Sequence, residues 1–273
     1  MKPLPLLITA FRGLTFLLLA GLALQGKAQE LDVNTIVTRA NHVAFYQGED
    51  GRAETRMKIV DGNGREQLRQ FTILRKNVED NGDQMFYVFF QRPSDVRRTA
   101  FLVKKHLDQD DDRWLYLPSL DLVKRISAGD KRTSFVGSDF YYEDVSGRGL
   151  QEDRHELVAT TDTHYKVKNT PLNPDAVEFE YYLVWINKDT FMPEKTEYYD
   201  AQGKMYRSIE SLQVEDIDGF PTTTRMKVSD HRTAGYTLSE MRFIKYNIGL
   251  PDEVFSERSL RTPPQQWLER PSR

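Results

Sequence analysis

The chain has 273 residues, with no cysteine, 38 lysines and arginines, and 41 aspartates and glutamates. Without cysteine it has no disulfide framework, no thiol nucleophile and no cysteine to which a lipid anchor could be attached. The formal net charge of −3 gives no reason to expect a nucleic-acid-binding protein, because such proteins carry clustered basic surfaces.

The N-terminus has the three parts of a secretory signal. Lys2 and Arg12 are basic, residues 14–24 form an apolar run of roughly ten residues, and Gly26-Lys27-Ala28 has two small residues in the positions of a cleavage site. The apolar run is shorter than the roughly 20 residues that a membrane-spanning helix needs. We therefore predict that a signal peptide, residues 1–28, is removed after Ala28 and that the protein is exported to the periplasm in soluble form.

The remaining residues, 29–273, are expected to form one domain. Cleavage removes three basic residues and no acidic residue, which leaves 35 basic and 41 acidic residues and a net charge of −6. The remaining 245 residues are compatible with one large β-domain, and no Pro- or Ser-rich linker or change in composition divides them.

Residues 31–46 are the best candidate for a helix. Apolar residues recur there at helical spacing, and Asn34 is the predicted N-cap. The apolar stripe consists of Ile36, Val37, Ala40, Val43 and Ala44.

From residue 54 onward, the sequence predicts strands joined by short polar turns. Thr55, Met57 and Ile59 alternate with charged residues, and the six large apolar residues at 85–90 are typical of a strand covered on both faces. The other predicted strands are 68–76, 100–105, 114–117, 156–160, 165–168, 178–187, 194–200, 205–214, 223–230 and 236–247. Short turns favour antiparallel meanders over helical crossovers, so the predicted fold class is mainly β with a few helices (α+β).

Residues 114–144, WLYLPSLDLVKRISAGDKRTSFVGSDFYYED, are the most informative stretch of the chain. Both alternating faces of WLYL are large and apolar, so a strand here buries both sides, or buries one and offers the other to an apolar ligand. Pro118 ends this strand because proline has no N–H to donate.

WLYLP, the KRI that follows and GSDFYYED resemble the outer-membrane lipoprotein-sorting family, the LolA/LolB-like periplasmic carriers. The resemblance continues through NKDTFMPEK, DAQG, DGFP and LPDEVF, and so covers most of the chain after the N-terminus. It implies a half-open antiparallel β-barrel whose concave face is covered by helices. It also implies a carrier that shields the acyl part of a lipoprotein or lipid, contacts membranes transiently, and works with an inner-membrane transporter of the ABC or RND type.

An apolar concave face can hold an acyl chain, since each methylene removed from water gains about 0.8 kcal/mol. The residues predicted to line such a cavity are Phe71, Ile73, Phe86, Val88, Phe90, Leu102, Trp114, Tyr116, Tyr182, Val184 and Ile186. For each of them, an ordinary position in the hydrophobic core is the alternative.

Polar residues of the same region are candidates for contact with a lipid head group or a partner protein. They are Lys124, Arg125, Lys131 and Arg132, which suit phosphates, together with Ser138, Asp139 and Tyr141. The alternatives are a solvated strand edge for the basic residues and a structural turn for the GSD segment, anchored by Phe140. The carriers of the family have a gating arginine on an early strand, but Arg56, Arg69 and Arg75 all have suitable positions, so none is selected.

The sequence gives little indication of an enzyme. The five histidines, at positions 42, 106, 155, 164 and 231, lack metal-ligand spacing, although His155 and His164 could share a hairpin. There is no G-x-S-x-G elbow and no phosphate-binding loop, and adjacent acids such as Glu143 and Asp144 are common in any chain this acidic. We therefore expect no catalytic residue, metal or cofactor. A ligand-free periplasmic adaptor is the main alternative to a carrier, and a hydrolase of envelope lipids is the third.

Overall fold

The structure is a computed structural model that describes residues 31–269. From Asp32 onward the chain forms one compact unit. The predicted signal peptide, with its cleavage site after Ala28, lies outside the described residues. None of the described helices has the length and the apolar composition of a transmembrane span.

Thirteen strands form a single antiparallel sheet in the described part of the chain. The strands are β1 (Asp50–Val60), β2 (Glu66–Asn77), β3 (Gln84–Arg92), β4 (Ala100–Lys105), β5 (Asp112–Leu117), β6 (Leu122–Ile126), β7 (Asp153–Thr160), β8 (His164–Pro171), β9 (Tyr181–Asn187), β10 (Pro193–Tyr199), β11 (Met205–Ile217), β12 (Phe220–Asp230) and β13 (Gly235–Tyr246). Their order is β6-β5-β4-β3-β2-β1-β13-β12-β11-β10-β9-β8-β7, so two meanders meet where β1 pairs with β13. Because β6 and β7 are edge strands, the barrel is open, and the predicted fold class is confirmed.

The N-terminal helix α1 (Val33–Asn41) continues into a π-helical turn, His42–Tyr46, as predicted for residues 31–46. The prediction of Asn34 as N-cap is wrong. Asp32 caps the helix instead, because its carboxylate, one residue before the helix begins, accepts the N–H of Thr35 at 3.0 Å.

The inner face of the sheet is closed by two segments that we call the cover: α1 with its π-helical turn, and the connection between β6 and β7, residues 127–152, which contains helix α2 (Tyr142–Ser146). From this connection, Phe135 inserts between Phe90 and Phe101, with ring centroids 5.7 and 5.4 Å away. The Nζ of Lys105 on β4 donates to the carbonyl of Ser146 at 2.7 Å and ties the end of α2 to the sheet.

The outer face of β2 to β5 is covered as well, by a C-terminal segment, residues 248–268, that contains helices α3 (Glu257–Arg261) and α4 (Gln265–Leu268). Its apolar residues, Leu250, Val254, Phe255, Leu260 and Leu268, are buried in one cluster with outer-face residues of β2 to β5. Asp50 holds the start of the segment by accepting the N–H groups of Ile248 and Leu250 at 2.6 and 2.5 Å. This second core was not predicted from the sequence.

Candidate functional site

A cavity of about 450 Å³ lies between the inner face of the sheet and the cover. Its wall is mostly apolar and comes from both meanders, from α1 and from the connection that holds α2. Seven of the eleven residues predicted to line a cavity do so: Phe71, Ile73, Phe86, Val88, Tyr182, Val184 and Ile186. Their contact with a ligand stays a prediction.

The alternation of side chains along each strand explains why these residues meet. Phe71 and Ile73 on β2, and Phe86 and Val88 on β3, are spaced by two and project to the inner face. On the other meander, Val184 of β9 lies opposite Thr196 of β10, and both line the cavity. The cavity is therefore built by the period of the strands.

Phe90 belongs to the same inner face but does not line the cavity. It is fully buried and contacts Phe71, with ring centroids 5.0 Å apart, and Phe135 of the cover. The cover fills this part of the barrel with aromatic rings, so Phe90 is a core residue there.

Leu102, Trp114 and Tyr116 do not line the cavity either, and their prediction is corrected. Leu102 lies opposite Trp114 in the β4–β5 ladder, and with Tyr116 they project to the outer face. There they pack in the cluster that the C-terminal segment covers. The inner-face residues of these two strands are their neighbours in the sequence, such as Phe101 and Leu115.

Trp114 is expected to contribute to stability and not to ligand binding. Because its ring contacts the outer cluster, Trp114→Ala should leave the affinity for an acyl ligand within about twofold of the wild type. The loss of stability should be about 1–3 kcal/mol, less than for a fully buried ring. Displacement of a fluorescent lipid, together with urea unfolding, measures both quantities. A tenfold loss of lipid affinity in a folded variant would return Trp114 to the cavity.

A network of buried charges lies at the cavity wall, where Glu143 of α2 is 2% exposed. Its carboxylate contacts Lys131 at 3.0 Å, Arg132 at 2.6 Å and Arg148 at 3.3 Å. Burial by itself would raise the pKa of Glu143, but the three cations outweigh it and lower the pKa to about 2.

Lys131 and Arg132 therefore do not have the position that the sequence predicted for contact with lipid phosphates. Lys131 also pairs with Glu152 at 2.6 Å, and Arg132 pairs with Glu178 at 2.8 Å. Their side chains are only 12% and 5% exposed, so both amine and guanidinium are occupied by carboxylates inside the protein.

The other polar candidates divide into two groups. Lys124 and Arg125 are exposed on edge strand β6, where the solvated strand edge was the alternative reading. Ser138 donates to the carbonyl of Phe135 at 2.7 Å, and the carboxylate of Asp139 accepts the hydroxyl of Thr237 on β13 at 2.7 Å. The ring of Tyr141 lies under the guanidinium of Arg207, 4.2 Å away. None of these five residues lines the cavity. Asp139 and Tyr141 join the connection to the sheet, whereas Ser138 bonds within the connection itself.

Of the three arginines Arg56, Arg69 and Arg75, Arg75 is the one that lines the cavity. Its guanidinium donates to the carbonyls of Gln47 and Gly48, directly after the π-helical turn, and to Asn77 at 2.6 Å. Burial lowers its pKa, since these acceptors are neutral. Arg56 is instead exposed, and Arg69 pairs with Asp95 at 3.5 Å.

Gln47 extends this contact to the other meander. Its side-chain Nε2 donates to the carbonyl of Pro221 on β12 at 2.7 Å, while its own carbonyl accepts from Arg75 on β2. Gln47, which follows the π-helical turn of the cover, thus contacts β2 on one side of the β1–β13 pair and β12 on the other. Sequence spacing could not show this, because Gln47 and Pro221 are 174 residues apart.

The histidines do not assemble into a metal centre. Residues 31–269 contain no group of three or more His, Cys, Asp or Glu side chains that could hold a metal ion. His155 and His164 do lie on the β7–β8 hairpin, where His155 contacts Asn169 at 2.7 Å and His164 contacts Glu194 at 2.8 Å.

Comparison with known proteins gives matches of sequence and of structure. A family model described as "-like: Uncharacterized protein" matches residues 82–262. A DUF1329 family protein from Desulfovibrio piger is 30% identical with a TM-score of 0.76, and the match covers 83% of this chain and 96% of that one. None of the curated proteins matches the sequence.

Two further solved structures have the same fold. A domain assigned to the outer membrane lipoprotein-sorting proteins, from Vibrio parahaemolyticus, is 25% identical with a TM-score of 0.75, over 83% of this chain and 97% of that one. A LolA superfamily protein from Nitrosomonas europaea is 20% identical with a TM-score of 0.65, over 84% of this chain and 99% of that one. The resemblance drawn from the sequence motifs is confirmed, and the chain belongs to the DUF1329 family, which shares the fold of the LolA-like proteins.

Proposed function

We propose that the protein is a non-enzymatic periplasmic carrier that holds the acyl part of a lipid or lipoprotein in its cavity and transfers it between membrane partners. The observation that carries the proposal is the cavity itself, about 450 Å³ of mostly apolar space between a sheet and a cover. Ligand sites of this kind are concave, apolar and already formed before binding. The similarity to a lipoprotein-sorting domain gives additional support.

The proposal also includes the membrane components that would load the carrier and receive its lipid. An inner-membrane transporter of the RND or ABC type would load the carrier, and a second membrane component would receive the lipid. The protein itself would supply burial of the chain and a cover that opens. We place removal of residues 1–28 and export to the periplasm in this proposal too.

The first experiment identifies the cargo and measures how it is held. Lipids extracted from the natively purified protein are identified by mass spectrometry, and a displacement series with fatty acyl ligands of increasing length follows. Burial of the chain predicts a gain of up to about 0.8 kcal/mol, roughly fourfold in affinity, for each added methylene until the cavity is filled. Constant affinity across chain lengths would contradict acyl burial. No binding of any lipid would instead favour a ligand-free adaptor.

Arg75 is expected to control how fast the ligand leaves. In Arg75→Leu, the carbonyls of Gln47 and Gly48 lose their donor, so the end of the π-helical turn is held less firmly against β2. We expect the dissociation rate of a bound acyl ligand to rise several-fold, measured by stopped-flow displacement. The exposed Arg56→Leu is the control, and equal rates in both variants would show that Arg75 does not hold the cover closed.

A further inference from the structure

The outer face of the sheet carries a regular set of lysines and aromatic rings on seven neighbouring strands, which in sheet order are β8, β9, β10, β11, β12, β13 and β1. Residues directly opposite each other in an antiparallel ladder project to the same face, so each cross-strand row can be followed from strand to strand. One row is Lys166, Trp185, Lys195, Glu210, Lys227, Leu238 and Lys58. The next is Lys168, Leu183, Glu197, Ser208, Ser229, Tyr236 and Val60. We call these two rows, with Tyr181 beside them, the lysine–aromatic stripe.

The lysines of the stripe lie against its rings. The Nζ of Lys166 lies 4.5 Å from the ring centroid of Trp185, and the Nζ of Lys195 lies 5.1 Å from the same centroid. Lys168 lies over Tyr181 at 4.6 Å, and Tyr181 is itself stacked on Tyr199 with centroids 4.8 Å apart. Such contacts fix flexible lysine stems on a rigid sheet while the amines stay at the surface.

A fourth lysine–ring contact lies further along the same face. The Nζ of Lys227 on β12 is 4.9 Å from the ring centroid of Tyr236 on β13. The pattern of a lysine over a ring therefore recurs across most of the outer face from β8 to β13. This face is turned away from the cavity, since the alternate residues of the same strands, such as Val184 and Met226, line it. Lys195, next to the register shift in β10, is the one stripe residue that also reaches the cavity wall within the described chain.

The stripe is positive in a chain that is negative overall. Its two rows hold five lysines and two glutamates, against a formal net charge of −3 for the chain. Lys195 pairs with Glu197 at 2.7 Å, and Lys58 pairs with Glu66 of β2 at 2.5 Å. The other three lysines, 166, 168 and 227, have ring contacts and no ion pair in the described chain, although Glu156 of edge strand β7 is opposite Lys168.

We infer that the lysine–aromatic stripe is a docking surface for the anionic surface of a phospholipid membrane. Charge complementarity is the reason: ammonium groups are attracted to lipid phosphates, and Trp and Tyr rings prefer the head-group level, where one end is apolar and the other wet. The inference rests on the proposed function, because a carrier of net negative charge must approach membranes that are also negative. Docking through the outer face leaves the cavity and its cover free to exchange cargo.

The test is flotation of the exported protein with vesicles of phosphatidylethanolamine and phosphatidylglycerol, compared with vesicles of phosphatidylcholine alone. The wild type should associate with the anionic vesicles, and less so as salt is added. Each lysine near such a surface contributes about fivefold, so Lys166→Gln/Lys168→Gln/Lys227→Gln should weaken association by about 100-fold. The control Arg97→Gln/Lys204→Gln/Arg258→Gln removes the same charge from exposed sites outside the stripe and should have a much smaller effect.

Binding of an acyl ligand, measured on the same proteins without vesicles, separates this inference from the proposed function. The stripe variant should bind the ligand as the wild type does, because none of its three substituted residues lines the cavity. A wild type that ignores anionic vesicles but binds acyl ligands would overturn the docking inference and leave the carrier standing. Equal losses in the stripe and control variants would overturn it too, since the attraction would then be unspecific. Binding to an acidic protein without binding to vesicles would assign the stripe to a protein partner instead.

Discussion

Replacing Glu143 with Gln is expected to lower the free energy of unfolding at pH 7 by about 3 kcal/mol. The carboxylate is buried and compensates Lys131, Arg132 and Arg148 at once. Removing one partner of a buried ion pair typically costs about 3–5 kcal/mol, because the remaining charge stays buried without its counter-ion. The lower value is expected here, since each cation keeps a second carboxylate, such as Glu152 for Lys131.

The pH dependence of this difference identifies its cause. The pKa of Glu143 is lowered from 4.5 to about 2 by folding, so its contribution is fully present above pH 4.5 and is lost as the pH falls toward 2. The difference between wild type and Glu143→Gln, measured by urea unfolding, should therefore be largest above pH 5 and shrink below it. Glu156→Gln, on an exposed site of β7, is the control and should stay within about 0.5 kcal/mol of the wild type. A difference that does not change with pH would show that the amide disturbs packing rather than charge.

The charged network also shows what sequence patterns could not predict. The motif GSDFYYED was found, but Lys131 and Arg132 were predicted to contact lipid phosphates, because sequence spacing does not show that they pair with Glu143 of that motif and with carboxylates further along the chain. Arg132 meets Glu178, 46 residues away, and their pairing depends on the connection folding over the sheet. The same holds for Gln47 and Pro221, which close the cover.

Strand positions were predictable because their signal is local. Alternation in β1 and the turn that follows it fix that hairpin, and the structure has strands at each predicted position. The prediction of which side chains face the cavity succeeded on β2, where Phe71 and Ile73 alternate with residues that are polar or that project to the outer face. It failed on β4 and β5, because neighbouring residues are apolar on both strands, FLV on β4 and WLYL on β5, and the outer face is buried as well.

The reason for that failure is the C-terminal segment. A strand covered on both faces has apolar residues on both, so its sequence does not alternate between apolar and polar residues. Which of Leu102 and Phe101 faces the cavity side therefore depends on what covers each face of the sheet. The segment itself offered a signal, since Leu250, Val254, Phe255 and Leu260 are a dense apolar group after the last strand. Their irregular spacing matches neither a strand nor a long helix, so periodicity alone did not place them.

Filling the cavity from its wall is expected to abolish most of the lipid binding while leaving the fold intact. Val184 lies on β9, is half-buried and lines the cavity, opposite Val167 of β8 and Thr196 of β10. In Val184→Trp the indole would occupy space otherwise taken by the acyl chain. If about four methylenes lose their place, roughly 3 kcal/mol of burial is lost, which is more than about 100-fold in affinity. Displacement of a fluorescent acyl ligand measures this loss.

The neighbouring residue provides a matched control for that variant. Leu183 lies on the same strand but projects to the outer face, opposite Lys168 and Glu197. Leu183→Trp makes a comparable change of size outside the cavity, so lipid affinity should change by less than about threefold, and both variants should unfold within about 1 kcal/mol of the wild type. A Val184→Trp variant that is folded and still binds acyl ligands with wild-type affinity would exclude this cavity as the lipid site. Because the two substitutions place the same indole at adjacent positions on opposite faces, a large difference between them in binding reports which face of the sheet holds the chain.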